Sequence, residues 1–147
     1  MDDEAFFRKN RDDLVRYATV LVGPSTAEDV VSTVVLRVLA RRRLMDLNDA
    51  RAYLFRGVLN ESRTWLTRRR SSPTVDDVAD TPMADPQPEV LAAVLALPAQ
   101  QRAATYLVYW EGQSIAEASA LMGIRPGTAK RYLHLARRTL KGVLNAN

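Results

Sequence analysis

The side chains best suited to chemistry lie near one end of the chain, and the chemistry they suit is the binding of a polyanion. Lys130, Arg131, His134, Arg138 and Lys141 recur at helical spacing along one face of a segment, and Ala129, Tyr132, Leu133, Ala136 and Leu140 along the opposite face. Thr128 and Lys130 fall near the start of that segment, the end that a recognition helix presents to base edges. Arginine and lysine match guanine O6 and N7, and one bidentate pair discriminates by about 1–3 kcal/mol. The positive end of the helix dipole at Gly127 and Thr128 also favours a phosphate. A plainer reading of the same residues is a solvated basic face on a helical hairpin. His134 alone decides nothing, since a neutral surface histidine and a phosphate neighbour are both open to it.

What separates these readings is the element that must hold such a helix. Ser114-Ile115-Ala116-Glu117 has capping-box form and opens a short helix to Met122. Gly123 supplies the positive φ of a sharp turn, Ile124 plugs the angle between helices, and Ala118 is small where they approach. A short helix, a glycine turn and a basic helix from Gly127 to about Leu144 form a helix-turn-helix pattern. Upstream, a short apolar helix is expected over Val90–Leu97, and Pro98 starts another that reaches about Trp110.

In the N-terminal half, Phe7, Leu14, Tyr17, Ala18 and Leu21 predict an amphipathic helix from Asp3 to about Val22, ended by Gly23-Pro24. Ser25 with Glu28 reads as a second capping box, opening a helix to about Arg43 that buries Val30, Val31, Val34 and Val38. A third helix, from about Asp49 to Arg70, has Tyr53, Leu54, Val58 and Leu66 as its apolar stripe and ends in Arg68-Arg69-Arg70. Between the halves, residues 71–88 hold four of the seven prolines and exclude helix. The expected fold is therefore all-α: two small helical domains, residues 1–70 and 90–147, joined by a flexible acidic linker over residues 71–89.

The charge distribution follows the same division. Residues 1–70 carry 14 basic against 10 acidic side chains, residues 71–89 five acids and no base, and residues 90–147 seven bases against two acids. Two basic bodies flanking an acidic strip suit a polyanion held at two places. An enzyme is not expected. With one histidine and no cysteine, histidine-cluster metal sites, thiolate sites and Cys–His pairs are excluded, and no glycine-rich phosphate loop appears. Glu28 and Asp29 are adjacent, so on a helix their carboxylates point to different faces. No cofactor or metal is expected. The acidic start Met1-Asp2-Asp3-Glu4 and the lack of a long apolar run point to a cytoplasmic protein without membrane insertion.

Several segments, in order, resemble one family. Leu97-Pro98-Ala99-Gln100-Gln101-Arg102, then Tyr109-Trp110-Glu111-Gly112-Gln113-Ser114, is similar to the start of region 4 in sigma factors of the extracytoplasmic-function type, within the sigma-70 family. Leu121-Met122-Gly123-Ile124, Gly127-Thr128-Ala129-Lys130 and Ala136-Arg137-Arg138 resemble their helix-turn-helix. Ala27-Glu28-Asp29-Val30-Val31 resembles a segment of region 2, and Arg51-Ala52-Tyr53-Leu54-Phe55-Arg56 through Asn60 to Arg68-Arg69 resembles the promoter-reading helix.

The resemblance implies a division of labour. Region 2 docks on the coiled-coil clamp helices of RNA polymerase, through Glu28, Asp29, Ser32, Thr33, Arg37 and Arg41. It captures the melted non-template strand of the −10 element through Asn48, Asp49, Asn60, Arg63, Trp65, Arg68, Arg69 and Arg70. Region 4 reads the −35 element as duplex through Arg125, Thr128, Lys130, Arg131, His134 and Arg138. The implied partners are core RNA polymerase, promoter DNA and, as is common in the family, an anti-sigma factor.

Each residue also has an ordinary duty to weigh: capping for Glu28, core packing for Trp65, and a solvated helix end complementing the dipole for Arg68–Arg70. The chain departs from the family at Ser32-Thr33, at Thr64 and at Arg131-Tyr132, and the last change predicts an altered −35 preference. Two other classes remain open on the residues alone: a stand-alone helix-turn-helix regulator acting without polymerase, and an interaction adaptor that keeps the shape but not promoter recognition.

Overall fold

The computed structural model describes residues 2–70 and 88–145. Among these, all regular structure is helical: α1 (Asp3–Val22), α2 (Pro24–Leu39), a 3₁₀ turn (Leu44–Asp46), α3 (Ala50–Arg70), α4 (Pro88–Leu95), α5 (Ala99–Thr105), a π-helical turn (Tyr106–Trp110), α6 (Ile115–Met122) and α7 (Pro126–Asn145). The linker expected at 71–89 lies outside the described residues except for its end, Pro88-Glu89, which starts α4.

Local chemistry accounts for the boundaries. Asp2 caps α1 by accepting from the Ala5 amide at 2.8 Å. The Asp3 carboxylate accepts from the Leu44 and Met45 amides, tying the 3₁₀ turn to the start of α1. The capping box expected at Ser25 and Glu28 does not form. Pro24 occupies the first helical position, so α2 starts two residues earlier with Gly23 as an N-cap that lends no side chain. Helix α2 also stops at Leu39 rather than near Arg43.

Three helices form the N-terminal half, and they approach closely at Gly57, where an added Cβ would lie 2.6 Å from Val34 Cγ1. Leu14, Tyr17, Leu21, Val31, Leu54, Phe55 and Val58 are fully buried among them. Tyr53, expected in the apolar stripe of α3, is instead exposed, and Val35 rather than Val38 completes the buried face of α2.

The two halves share one core. Buried side chains of α1, α2 and α3 run continuously into Ala103, Ala104, Tyr106, Leu107, Ala118, Leu121, Met122 and Leu133. Tyr17 packs on Phe55 of α3, with ring centroids 5.0 Å apart, and on Tyr106 at 6.2 Å. Arg102 of α5 donates to the Val20 and Leu21 carbonyls at the end of α1, at 3.0 and 2.9 Å, and to the Leu97 carbonyl. Helix α1 has no basic residue in its last turn, so the cation that complements its C-terminal carbonyls comes from the other half. A smaller cluster of Val94, Leu97 and Ala136, backed by Val90 and Leu140, seats α4 on α7.

Candidate nucleic-acid interface

The helix-turn-helix forms as its residues predict. Ser114 Oγ accepts from the Glu117 amide at 3.0 Å, and Glu117 Oε1 accepts from the Ser114 amide at 2.9 Å. The Ser114 amide, then its hydroxyl, holds the Glu117 carboxyl below the usual carboxylate range. Gly123 takes the left-handed conformation at φ 72°, and the Ile124 amide closes the turn on the Ser119 carbonyl at 3.0 Å. Ala118 is fully buried and Ile124 packs against the core.

On α7, Ala129, Leu133 and Ala136 are buried, with Tyr132 and Leu140 partly so. Arg125, Lys130, Arg131, His134 and Arg138 are exposed, and Thr128 is half-buried. Packing against the N-terminal half therefore leaves the cationic face of α7 open. Arg137 points elsewhere: its guanidinium donates to the Tyr109 hydroxyl on the π-helical turn. That turn is a register change, in which Tyr106 enters the core while Tyr109 and Trp110 stay outside. Burial, and then the hydrogen bond to Glu111, push the Tyr106 phenol up and keep it neutral.

A second cationic surface lies between α2 and α3. A cleft of about 390 Å³ is lined by Arg37, Arg41, Arg42 and Arg56, with Val34, Val38, Tyr53, Gly57 and Asn60. Tyr53, Arg56, Gly57 and Asn60 share one face of α3 by their three- and four-residue spacing. Gly57 keeps the floor of the cleft low. The Arg42 guanidinium lies 5.8 Å from the centre of the Tyr53 ring, and Arg37 pairs with Glu61 at 3.2 Å. The cleft thus offers guanidinium groups, an amide and an aromatic ring, which suit phosphate, base edge and base face respectively.

The expected site residues divide on this geometry. Of the six placed towards polymerase, Asp29, Ser32 and Thr33 are exposed along the outer face of α2, while Arg37 and Arg41 open onto the cleft. Glu28 caps nothing and pairs with Arg11 at 2.8 Å. Leu36 continues the stripe of Asp29, Ser32 and Thr33 and is 68% exposed. It was missed because a leucine in an amphipathic helix reads as core, although its seven-residue spacing from Asp29 was visible.

Of the eight residues placed towards the strand, Asn60 lies in the cleft and Arg63 follows it on α3. Asn48 is exposed, whereas the Asp49 carboxylate caps α3 by accepting from the Ala52 amide at 3.0 Å. Trp65 is half-buried against the core with the Arg69 guanidinium 4.9 Å from its ring centre. Arg68 is exposed, and Arg70 closes α3. Fourteen residues of helix separate Asp49 from Arg63, about 21 Å, so these eight do not form one cluster. Arg41, Arg42, Tyr53 and Arg56 join Asn60 instead.

A helix-turn-helix with an open cationic face, on an all-helical chain, marks a DNA-binding protein, and the arginine-lined cleft gives it a second cationic surface. Comparison with known proteins narrows the class. Residues 6–72 match the family model of Sigma-70 region 2, and residues 88–140 that of Sigma-70, region 4. The chain is 29% identical to the RNA polymerase sigma-E factor of Streptomyces coelicolor over 155 aligned residues, covering 99% of this chain and 88% of the relative. It is 33% identical to the ECF RNA polymerase sigma factor SigL of Mycobacterium tuberculosis, covering 87% of this chain and 80% of the relative. Its fold resembles that of the sigma factor RpoE from Bartonella quintana, solved in complex with the anti-sigma factor NepR. The TM-score is 0.74 at 24% identity, over 98% of this chain and 97% of that one.

The chain belongs to the sigma-70 family, among the sigma factors of extracytoplasmic-function type. Its function is that of a sigma factor, serving RNA polymerase in transcription initiation. Among the described residues no helix is long and apolar enough to cross a membrane.

Proposed function

We propose that this sigma factor recruits core RNA polymerase through the outer face of α2, captures one melted promoter strand in the α2–α3 cleft, and reads duplex upstream with α7. The observation that carries the reading is the pairing of two unlike DNA-suited surfaces on one chain. A cleft with four arginines, Tyr53 and Asn60 suits an unstacked nucleotide, because its ring and amide address a base that a duplex would hide. An exposed helix face with Lys130 and Arg131 near its start suits the edges of paired bases in a major groove. In family terms these are the −10 and −35 elements.

The face of α2 bearing Asp29, Ser32, Thr33 and Leu36 is assigned to polymerase. Its exposed leucine ringed by polar groups has the makeup of a small interface anchor. Arg37 and Arg41 move from the polymerase group to the strand group on this reading. The RpoE–NepR complex supports a protein inhibitor as a further partner for a chain of this fold.

The test is transcription in vitro: purified protein is added to core polymerase with a pool of promoter fragments. Initiation that depends on both components is the expected result. Duplex binding without any polymerase-dependent transcript would point to a stand-alone regulator, and the absence of both to an adaptor.

A further inference from the structure

The connection between α2 and α3 is held from a distance. Leu44–Asp46 is a single 3₁₀ turn whose own N-cap, Arg43, lends no side-chain acceptor. A helical turn this short leaves its first backbone N–H groups without partners of its own. Asp3 on α1 supplies them: Oδ2 accepts from the Leu44 amide at 3.0 Å, and Oδ1 from the Met45 amide at 3.1 Å. One carboxylate thus caps, from 41 and 42 residues away, an element that lacks a cap of its own. Leu44 is fully buried and Leu47 packs against the core, so the inward side of the turn is fixed as well.

That turn lies at one end of the cleft. Arg41 and Arg42, which line the cleft, run directly into it, and the Asp49 cap leads out of it onto α3. Arg42 beside the Tyr53 ring joins the two walls at the same end. Met45 and Asn48 are exposed, while Leu44 and Leu47, one position before each, face inward. We propose that Asp3 is a positioning residue for strand capture, fixing this turn so that Asn48 meets a base at the end of the cleft. Asp3 is half-buried and does not touch the strand itself. It orders the turn before the strand arrives, so that binding does not bear the entropy of ordering it. The proposal rests on the strand-capture reading above and adds to it a residue from the first turn of α1.

The sign of the effect separates this role from two plainer ones. Asp3→Asn keeps the size of the side chain but offers one oxygen and an NH₂ group, so one of the two amides loses its acceptor. It also removes a negative charge from the turn that follows Arg41-Arg42-Arg43. Charge alone would therefore tighten the binding of a phosphate strand, whereas a looser turn weakens it. A general loss of stability would weaken binding whether or not Asn48 is present.

Strand binding is measured by anisotropy on the full chain assembled with core polymerase, using labelled single-stranded DNA of a promoter selected in the transcription assay. Asp3→Asn is expected to speed amide exchange at Leu44 and Met45 in the free chain and to weaken strand binding about three- to ten-fold. In an Asn48→Ala background the same change should lower affinity no further, because both act through one contact. Asp3→Ala, which abandons both amides, should go further in the same direction. Unchanged exchange at the two amides, or unchanged or tighter strand binding, overturns the proposal. So does an equal loss with and without Asn48. Failure of the wild-type assembly to bind any strand overturns the strand-capture reading itself, a result distinct from strand binding that ignores Asp3.

Discussion

Lys130 and Arg131 stand on the open face of α7 without help from the rest of the fold, and this makes them separable from everything else the chain does. Lys130→Ala or Arg131→Ala should weaken binding to the cognate upstream duplex by about 1–3 kcal/mol, or roughly five- to 150-fold. Assembly with core polymerase should stay unchanged. Anisotropy of a labelled duplex and co-elution with polymerase read the two quantities apart, and loss of polymerase binding in these variants would contradict the division of surfaces. The converse holds on α2. Asp29→Lys or Leu36→Asp leaves the core untouched, because both side chains are exposed, and should lower polymerase affinity at least several-fold with duplex affinity preserved. Leu36 is the sharper probe of the pair, since an exposed leucine costs nothing to replace unless a partner covers it.

At the scale of elements, α6 depends on its cap. Ser114→Ala removes the acceptor for the Glu117 amide and should destabilise the helix-turn-helix by about 1 kcal/mol, seen as faster amide exchange in α6. Glu117 titrates below its ordinary value in the folded chain, so its contribution is fully present above the unfolded value. It is lost as pH falls through the lower folded one. Following the Glu117 carboxyl by NMR should show that depressed midpoint in the wild type and only a partial rise in Ser114→Ala, which loses the hydroxyl but keeps the backbone amide.

The two capping boxes also show how far the elements were legible. Ser114-x-x-Glu117 forms because nothing competes with it. The same pattern at Ser25 fails because Pro24, with φ already helical, takes the first position and carries the start past Ser25. The helix-turn-helix was readable to within a residue at its helix starts, since a left-handed glycine and an apolar plug are local requirements. The cleft was not. Arg37, Arg41, Arg42 and Arg56 come from two helices whose relative rotation is set by the close approach at Gly57, and no local spacing encodes that. The cap that Asp49 places on α3 was not legible either, because a capping carboxylate and a contacting one are the same residue in sequence.

The whole molecule is stabilised by a contact between its two halves. Halves of roughly 60–70 residues bury only about 60% of their chain surface alone, so each gains from the shared core. That core is nonetheless imperfect. The Tyr17 hydroxyl is buried at the join without a hydrogen-bond partner among the described residues, which costs about 1–3 kcal/mol. Arg102 is desolvated against three backbone carbonyls, and its pKa is lowered accordingly.

Arg102 is the main polar fastening of the halves, because it satisfies the exposed end of α1 from across the join. Arg102→Met keeps the length and apolar stem of the side chain but abandons the Val20 and Leu21 carbonyls. Hydrogen bonds to a charged group are worth about 1.5–3 kcal/mol, offset here by the relief of desolvation. A net loss of about 2 kcal/mol lowers the melting temperature of a chain this size by about 4–8 °C. Scanning calorimetry of the full chain should show one cooperative transition for the wild type. In Arg102→Met that transition should move down and broaden towards two, as the halves begin to melt apart. An unshifted single transition would mean that the apolar stack of Tyr17, Phe55 and Tyr106 holds the halves together without the cation.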